Sequence, residues 1–327
     1  MALSKLALKV FLISLMSGVV CSANSASNNG QFFSSHSAIT EQTDCFAPPY
    51  DDASNLRTII ADFTQMESRA INHVFSEQLF DMRKNRYECL RFTYQVDGTE
   101  VPGFMFRSVN AGSDSPVLVY HRGGNGKYGQ IRWVNLYLKY LDMAANGYTI
   151  IGSNLRENDE FGGADVDDTR ELLNIVHGME NVDHNRIALW GVSRGASQMM
   201  QVARNRNDIR ALVFEAGNAD HQRALQDRPE MIDVYLKRVP NFEDNREEEL
   251  AKRSVIFWAD ELPDVPVLIL HGDADDRVDV EQAHLLARAL DESGHEYELK
   301  VYSGAGHALP DNAREDMFRW LNTVLNN

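Results

Sequence analysis

Ser193 stands in the run Gly191-Val192-Ser193-Arg194-Gly195, directly after an apolar stretch at 187–190 that reads as a strand and at the start of a helical stretch at 194–206. A G-x-S-x-G run between strand and helix raises a serine hydroxyl out of a sheet on a strained turn. The helix N-terminus behind it favours developing negative charge. A serine hydroxyl is a poor nucleophile until a base takes its proton. The chain has ten histidines, so position must choose among them. His307 ends Ser303-Gly304-Ala305-Gly306-His307, a glycine-rich loop after the last strand and before the last helix. Such a loop opens at the carboxyl edge of the sheet, where ligands bind in open α/β folds. His295 precedes that strand and belongs to the opposite edge, while His73, His177 and His284 fall in helical stretches.

A third group is needed to orient the base, and in chain order it should follow a strand between Ser193 and His307. His271-Gly272-Asp273-Ala274-Asp275-Asp276-Arg277-Val278 follows the strand at 265–270 and supplies several carboxylates. Its spacing fails as a calcium loop, because Arg277 and Val278 stand where a ligand and a glycine belong. Glu215, at the end of another strand, is a more distant competitor. The oxyanion of an acyl-transfer intermediate needs two preorganised donors. The backbone N–H of Arg194 is one candidate. The other is an N–H in the loop His121-Arg122-Gly123-Gly124, with Arg122 and Gly123 as its candidate residues.

The elements that must position these groups are legible from residue 117 onward. Short apolar strands at 117–120, 148–152, 187–190, 211–215, 265–270 and 296–302 alternate with helical stretches near 130–146, 166–181, 194–206, 281–293 and 312–325. That alternation predicts an α/β fold with a mostly parallel sheet covered by helices on both faces. Between 218 and 262 the alternation stops, and a polar, helical stretch reads as a cap-like insertion. Upstream, 54–86 carries apolar residues at helical spacing, which predicts one or two amphipathic helices. Residues 91–97 and 101–107 alternate around Asp97-Gly98 as a hairpin with a slightly longer loop. Residues 24–44, rich in Ser, Asn and Gln, read as a flexible tail.

With 327 residues, 43% hydrophobic and 24% charged, the chain has the composition of a soluble globular protein. A formal charge of −16 argues against nucleic acid or an anionic membrane as main partner. Lys5 and Lys9, an apolar run of 11 residues at 10–20 and Cys21-Ser22-Ala23 have the layout of a secretory signal cleaved after Ala23. The expected location is therefore secreted or periplasmic, with no stable membrane insertion afterwards. Removing that leader leaves Cys45 and Cys89, an even pair that invites a disulfide in an oxidising compartment. No H-E-x-x-H or Cys/His cluster calls for a metal, and the chemistry requires no cofactor. Nothing in the sequence sets the oligomeric state.

Together these residues resemble the catalytic domain of the prolyl oligopeptidase family of serine peptidases, from about 90 to 325. The resemblance rests on Val119-Tyr120-His121-Arg122-Gly123-Gly124-Asn125, on Asn154-Leu155-Arg156, on Glu160-Phe161-Gly162-Gly163-Ala164-Asp165-Val166, and on the serine run. Ala259-Asp260, the 271–278 run and Gly306-His307 complete it. It implies an α/β-hydrolase fold over 90–327, preceded by a tail and helical segment at 24–89, and it makes Asp275 the acid of a Ser193–Asp275–His307 triad. Two departures stand out. Many members gate the site with a β-propeller, which needs at least four blades of roughly 40–45 residues; the 93 residues from 24 to 116 cannot supply one. Where some relatives place a tyrosine hydroxyl in the oxyanion hole, this chain has Arg122, whose side chain is a candidate contact for a substrate carboxylate or for the structure itself. The resemblance implies a peptidase acting on small peptides or aminoacyl compounds. A carboxylesterase is the alternative, since the same triad cleaves esters more easily, and a non-catalytic binding protein is a third reading.

Overall fold

The computed structural model describes Phe33, residues 36–63 and residues 67–326. The signal sequence expected at 1–23 lies outside these residues. The chain divides into two compact units, one holding 46–82 and the other 32–45 with 83–327. In the smaller unit the helices Ala53–Phe63 and Ser68–Val74 bury Leu56, Ile60, Ile71, Phe75 and Phe80. The Arg57 guanidinium donates to the Phe75 carbonyl at 2.9 Å. A third helix, Glu77–Arg86, follows, so the described residues of this stretch form three helices where its periodicity predicts one or two.

Among the described residues the larger unit is built on nine strands: β1 Ile39–Asp44, β2 Tyr87–Val96, β3 Thr99–Ser108, β4 Ser115–His121, β5 Thr149–Ser153, β6 Val182–Val192, β7 Ala211–Glu215, β8 Val267–Gly272 and β9 Tyr297–Tyr302. They form one sheet in the order β1-β2-β3-β5-β4-β6-β7-β8-β9. The pairs from β1 through β5 are antiparallel and those from β5 onward parallel. The inner parallel strands β4, β5, β7 and β8 are buried on both faces, as their apolar runs require, whereas the edge strand β9 is only partly buried. Helices Val166–His177, Arg194–Ala203, Glu281–Glu292 and Asp311–Leu325 supply the covering layers. The β8 ladder starts at Val267 rather than 265, since Pro266 has no N–H to give; its carbonyl still accepts from Leu212 N at 3.1 Å.

Three local expectations change. Residues 39–44, read as part of a flexible tail, form β1. Their side chains are mostly exposed, so an edge strand here carries no apolar alternation to betray it. The β2–β3 turn is tighter than expected: Val96 pairs with Thr99, and Asp97 and Gly98 both take positive φ, 49° and 77°. That is the geometry of a two-residue hairpin turn, to which Asp-Gly is suited. The helical stretch at 130–146 is irregular, with one α turn at Trp133–Asn135, a π segment at Leu136–Tyr140 and a 3₁₀ segment at Leu141–Asn146.

Cys45 and Cys89 are joined, tying the end of β1 to β2 and closing a loop with a separation of 44 residues. Closure of a loop this long contributes about 3–4 kcal/mol by limiting the unfolded chain. A C45S/C89S variant is therefore expected to melt well below the parent under non-reducing conditions, and the parent should fall to the same temperature with reductant. Equal melting temperatures with and without reductant would contradict that contribution.

The 218–262 stretch is helical, as its composition suggests, with short helices at His221–Asp227, Ile232–Arg238 and Arg246–Arg253. Asp220 caps the first by accepting from Gln222 N and Arg223 N. Leu225, Tyr235, Val239, Phe242 and Leu250 close a small core around Phe161, which reaches in from the β5 side.

Candidate active site

β4 lies between β5 and β6 in the sheet: the chain passes from β4 to β5 on one side, then crosses back over β4 to β6 on the other. The carboxyl ends of strands at such a switch point form a crevice. Ser193 lies at the end of β6 with φ 58° and ψ −127°, a conformation a serine holds only when its surroundings impose it. Here the Ser193 amide donates to the Glu215 carbonyl at 2.7 Å, which locks the turn to β7. The flanking glycines are packing necessities. A Cβ on Gly191 would sit 2.3 Å from the Gly195 carbonyl oxygen, and one on Gly195 would sit 2.3 Å from that of His121.

From this turn the Ser193 hydroxyl reaches His307 Nε2 at 3.0 Å, and His307 Nδ1 lies 2.8 Å from Asp275 Oδ2. His307 is partly open to solvent, whereas the Asp275 side chain is fully buried. The Asp275 Oδ1 accepts from the amides of Arg277 and Val278 at 2.9 and 3.1 Å. Burial pushes this carboxyl up, but hydrogen bonds from His271, His307 and those two amides outweigh it and hold it well below the usual carboxylate range. It is a charged acceptor at any pH near neutrality. His271 is itself buried and donates through Nε2 to the Val278 carbonyl at 2.9 Å, closing the turn that aims Asp275.

The remaining acidic candidates are placed elsewhere. Asp276 is exposed, and Asp273 accepts from the Gly304 amide. Glu215 accepts from Trp190 Nε1 at 2.8 Å and pairs with Arg314 at 3.1 Å. His295 bonds the Ala259 carbonyl, far in sequence from the serine turn.

The loop after β4 runs beside the serine: a Cβ on Gly123 would lie 2.8 Å from Ser193 Cβ. Two groups set its peptide planes. His121 is buried, which pushes its imidazole down to about 4, so the ring is neutral near pH 7. Its Nδ1 lies 3.0 Å from the Arg122 carbonyl, which can only accept, so Nδ1 carries the hydrogen. In a trans peptide the N–H points opposite to the C=O; the Gly123 N–H therefore faces away from His121. The Arg122 guanidinium is turned inward onto the loop, donating to the carbonyls of Gly123 and Tyr128 at 2.8 Å and of Gly126 at 2.6 Å. Of the two contacts considered for Arg122, the structural one is observed. Arg194 opens its helix, so its amide is among those without an intrahelical acceptor.

Beneath the loop is an ionic cluster that no residue spacing announces beyond the Glu160–Val166 motif. The buried Arg194 side chain pairs with Asp159 at 2.6 Å and with Asp165, and its guanidinium lies 4.5 Å from the Phe161 ring centre. Asp165 also accepts from Gln198 Nε2 and from the amides of Gly162 and Gly163. Only three-dimensional packing brings residues 159, 165 and 194 together with Arg238, which also pairs with Asp159.

A sequence model of the prolyl oligopeptidase family matches residues 121–327. An uncharacterized peptidase of Bacillus subtilis, YuxL, is 26% identical over 65% of this chain and 34% of its own length. Among solved structures, the acylaminoacyl peptidase of Pyrococcus horikoshii aligns with a TM-score of 0.61 at 20% identity, covering 76% of this chain and 43% of that one. Acetyl xylan esterase 1 of a Thermoanaerobacterium species aligns at 0.58 and 19% identity, covering 73% of this chain and 84% of the esterase. The chain thus spans less than half the length of the two peptidases. At these identities the structural matches establish the fold, that of the α/β-hydrolases.

Proposed function

Because the chain belongs to the prolyl oligopeptidase family, we propose that it is a serine hydrolase in which Ser193 is the nucleophile, His307 the general base and Asp275 the group that orients His307. The observation that carries this reading is the unbroken chain of hydrogen bonds at 2.8 and 3.0 Å from a buried carboxylate to a strained, accessible serine turn. His307 Nε2 takes the hydroxyl proton as Ser193 attacks a carbonyl, and Asp275 stabilises the imidazolium that forms. The Gly123 and Arg194 amides receive the oxyanion. His307 then returns its proton to the leaving group and activates water to clear the acyl-enzyme.

The substrates we propose are small peptides or aminoacyl compounds, a reading supported by the family and by the acylaminoacyl peptidase neighbour. Carboxyl esters are the second reading. It is favoured by the neighbouring esterase, whose own length is mostly covered by this chain. The disulfide suits an oxidising compartment, which supports the proposal that the protein is exported. A panel of p-nitrophenyl acyl esters, aminoacyl p-nitroanilides and N-acetyl-aminoacyl p-nitroanilides decides between the substrate classes. The peptidase reading expects amide turnover with kcat/KM within about a hundredfold of the best ester; turnover of esters alone would replace it with the second. Failure of a fluorophosphonate probe to label Ser193 would overturn both.

A further inference from the structure

Asp159 is fully buried and has no place in the reaction just described, yet three separate parts of the site converge on its carboxylate. Its Oδ1 accepts from Arg194 Nη1 at 2.6 Å, the side chain of the residue after the serine. Its Oδ2 accepts from the Gly126 amide at 2.9 Å, in the loop that brings Gly123 against Ser193. The same Oδ2 accepts from Arg238 Nη1. Arg238 is the last residue of the helix Ile232–Arg238 in the inserted 218–262 stretch. Its guanidinium packs against the loop: a Cβ on Gly126 would sit 2.6 Å from Arg238 Nη2.

We propose that Asp159 is a positioning residue for the oxyanion-binding loop, and that Arg238 ties this position to the inserted helical stretch. The inference rests on the serine-hydrolase reading with Ser193 as nucleophile. The loop is gripped on its carbonyl side by Arg122 and held by the Gly126 amide to Asp159. Neither grip involves a group that touches the reacting atoms. A carboxylate shared among two guanidiniums and an amide has one low-energy orientation, because each donor fixes a different lone-pair direction. Loss of the Arg238 arm leaves Oδ2 with the amide alone and frees the loop from the helix above it. Donors aimed at a developing oxyanion lose most of their effect with a small misplacement, so the effect falls on turnover rather than on ground-state binding.

The deciding variants are R238M, which keeps the stem and removes the charge, and R238K, which keeps a cation able to reach Asp159. Each is assayed beside D159N and S193A for kcat and KM on p-nitrophenyl acetate, for inhibition by an alkyl boronic acid, and for thermal melting. R238M is expected to lower kcat about tenfold, with KM within about twofold, and to weaken the boronic acid by a similar factor, while R238K recovers most of both. D159N is expected to lower kcat about a hundredfold, comparable to loss of one oxyanion donor. The proposal is overturned if R238M keeps kcat within twofold, if KM alone rises, or if R238K is no better than R238M. It is overturned equally if the loss vanishes once activity is corrected for folded protein. Because D159N leaves the buried Arg194 and the half-buried Arg238 each short of a partner, the Arg238 pair decides the matter even if D159N does not fold. An active S193A would bring down the underlying reading, whereas an inactive S193A beside a fully active R238M would bring down this inference alone.

Discussion

Replacing Ser193 with alanine is expected to lower kcat by about a million-fold while the protein keeps its fold and its affinity for substrate. The covalent route disappears with the hydroxyl, and what survives is substrate binding and the oxyanion donors. The size of the effect follows from the geometry. The Ser193 hydroxyl is the atom that His307 Nε2 faces at 3.0 Å, and the turn that holds it is fixed to β7 through the Glu215 carbonyl. A relaxed backbone is no remedy for the variant, since the positive φ at 193 is imposed by neighbours rather than by the serine. Burst kinetics with p-nitrophenyl acetate, with a melting curve beside them, make the measurement. More than about a hundredth of the parental kcat in a clean preparation would remove Ser193 from the nucleophile role.

Asp275→Asn is expected to cost on the order of 10⁴ in kcat, whereas Asp276→Asn should leave kcat within a few-fold of the parent. Asparagine at 275 can turn its amide toward His307 Nδ1 as a donor, and the ring then presents the wrong tautomer to the serine. The two side chains differ in every respect that matters here. The Asp275 carboxylate is fully buried, 2.8 Å from His307 and held by two main-chain amides. The Asp276 side chain is exposed. A collapse of activity confined to Asp276→Asn would reverse the assignment, and a D275N variant within tenfold of the parent would end the orienting role proposed for this carboxylate. Because both substitutions are nearly isosteric, melting temperatures separate a chemical effect from a folding one.

The parallel half of the sheet was legible in sequence for a physical reason: strands buried on both faces must be apolar throughout, and helices covering them must show a stripe. Ser193 and His307 were legible because local chain constraints single them out, glycines around the first and a loop after the last strand around the second. Asp275 was less so. Periodicity brings the whole 271–278 run to the sheet edge, and the choice within it depends on which carboxylate the His271–Val278 bond turns inward. β1 was hidden because an edge strand with mostly exposed side chains looks like a polar tail. The Asp159 cluster was hidden for a different reason, since its members are far apart in sequence and no spacing rule joins residue 159 to residue 238.

The Cys45–Cys89 bond makes the stretch between them a covalent ring. A protease that nicks any peptide bond inside that ring cuts the chain without releasing either piece. The amino-terminal fragment carrying β1 stays anchored to β2 by sulfur as well as by its ladder of hydrogen bonds. On a denaturing gel, such nicked molecules migrate as one full-mass band until thiol is added, then split in two. A protein of this design keeps its sheet edge sealed through damage that would strip the edge from an unbridged chain.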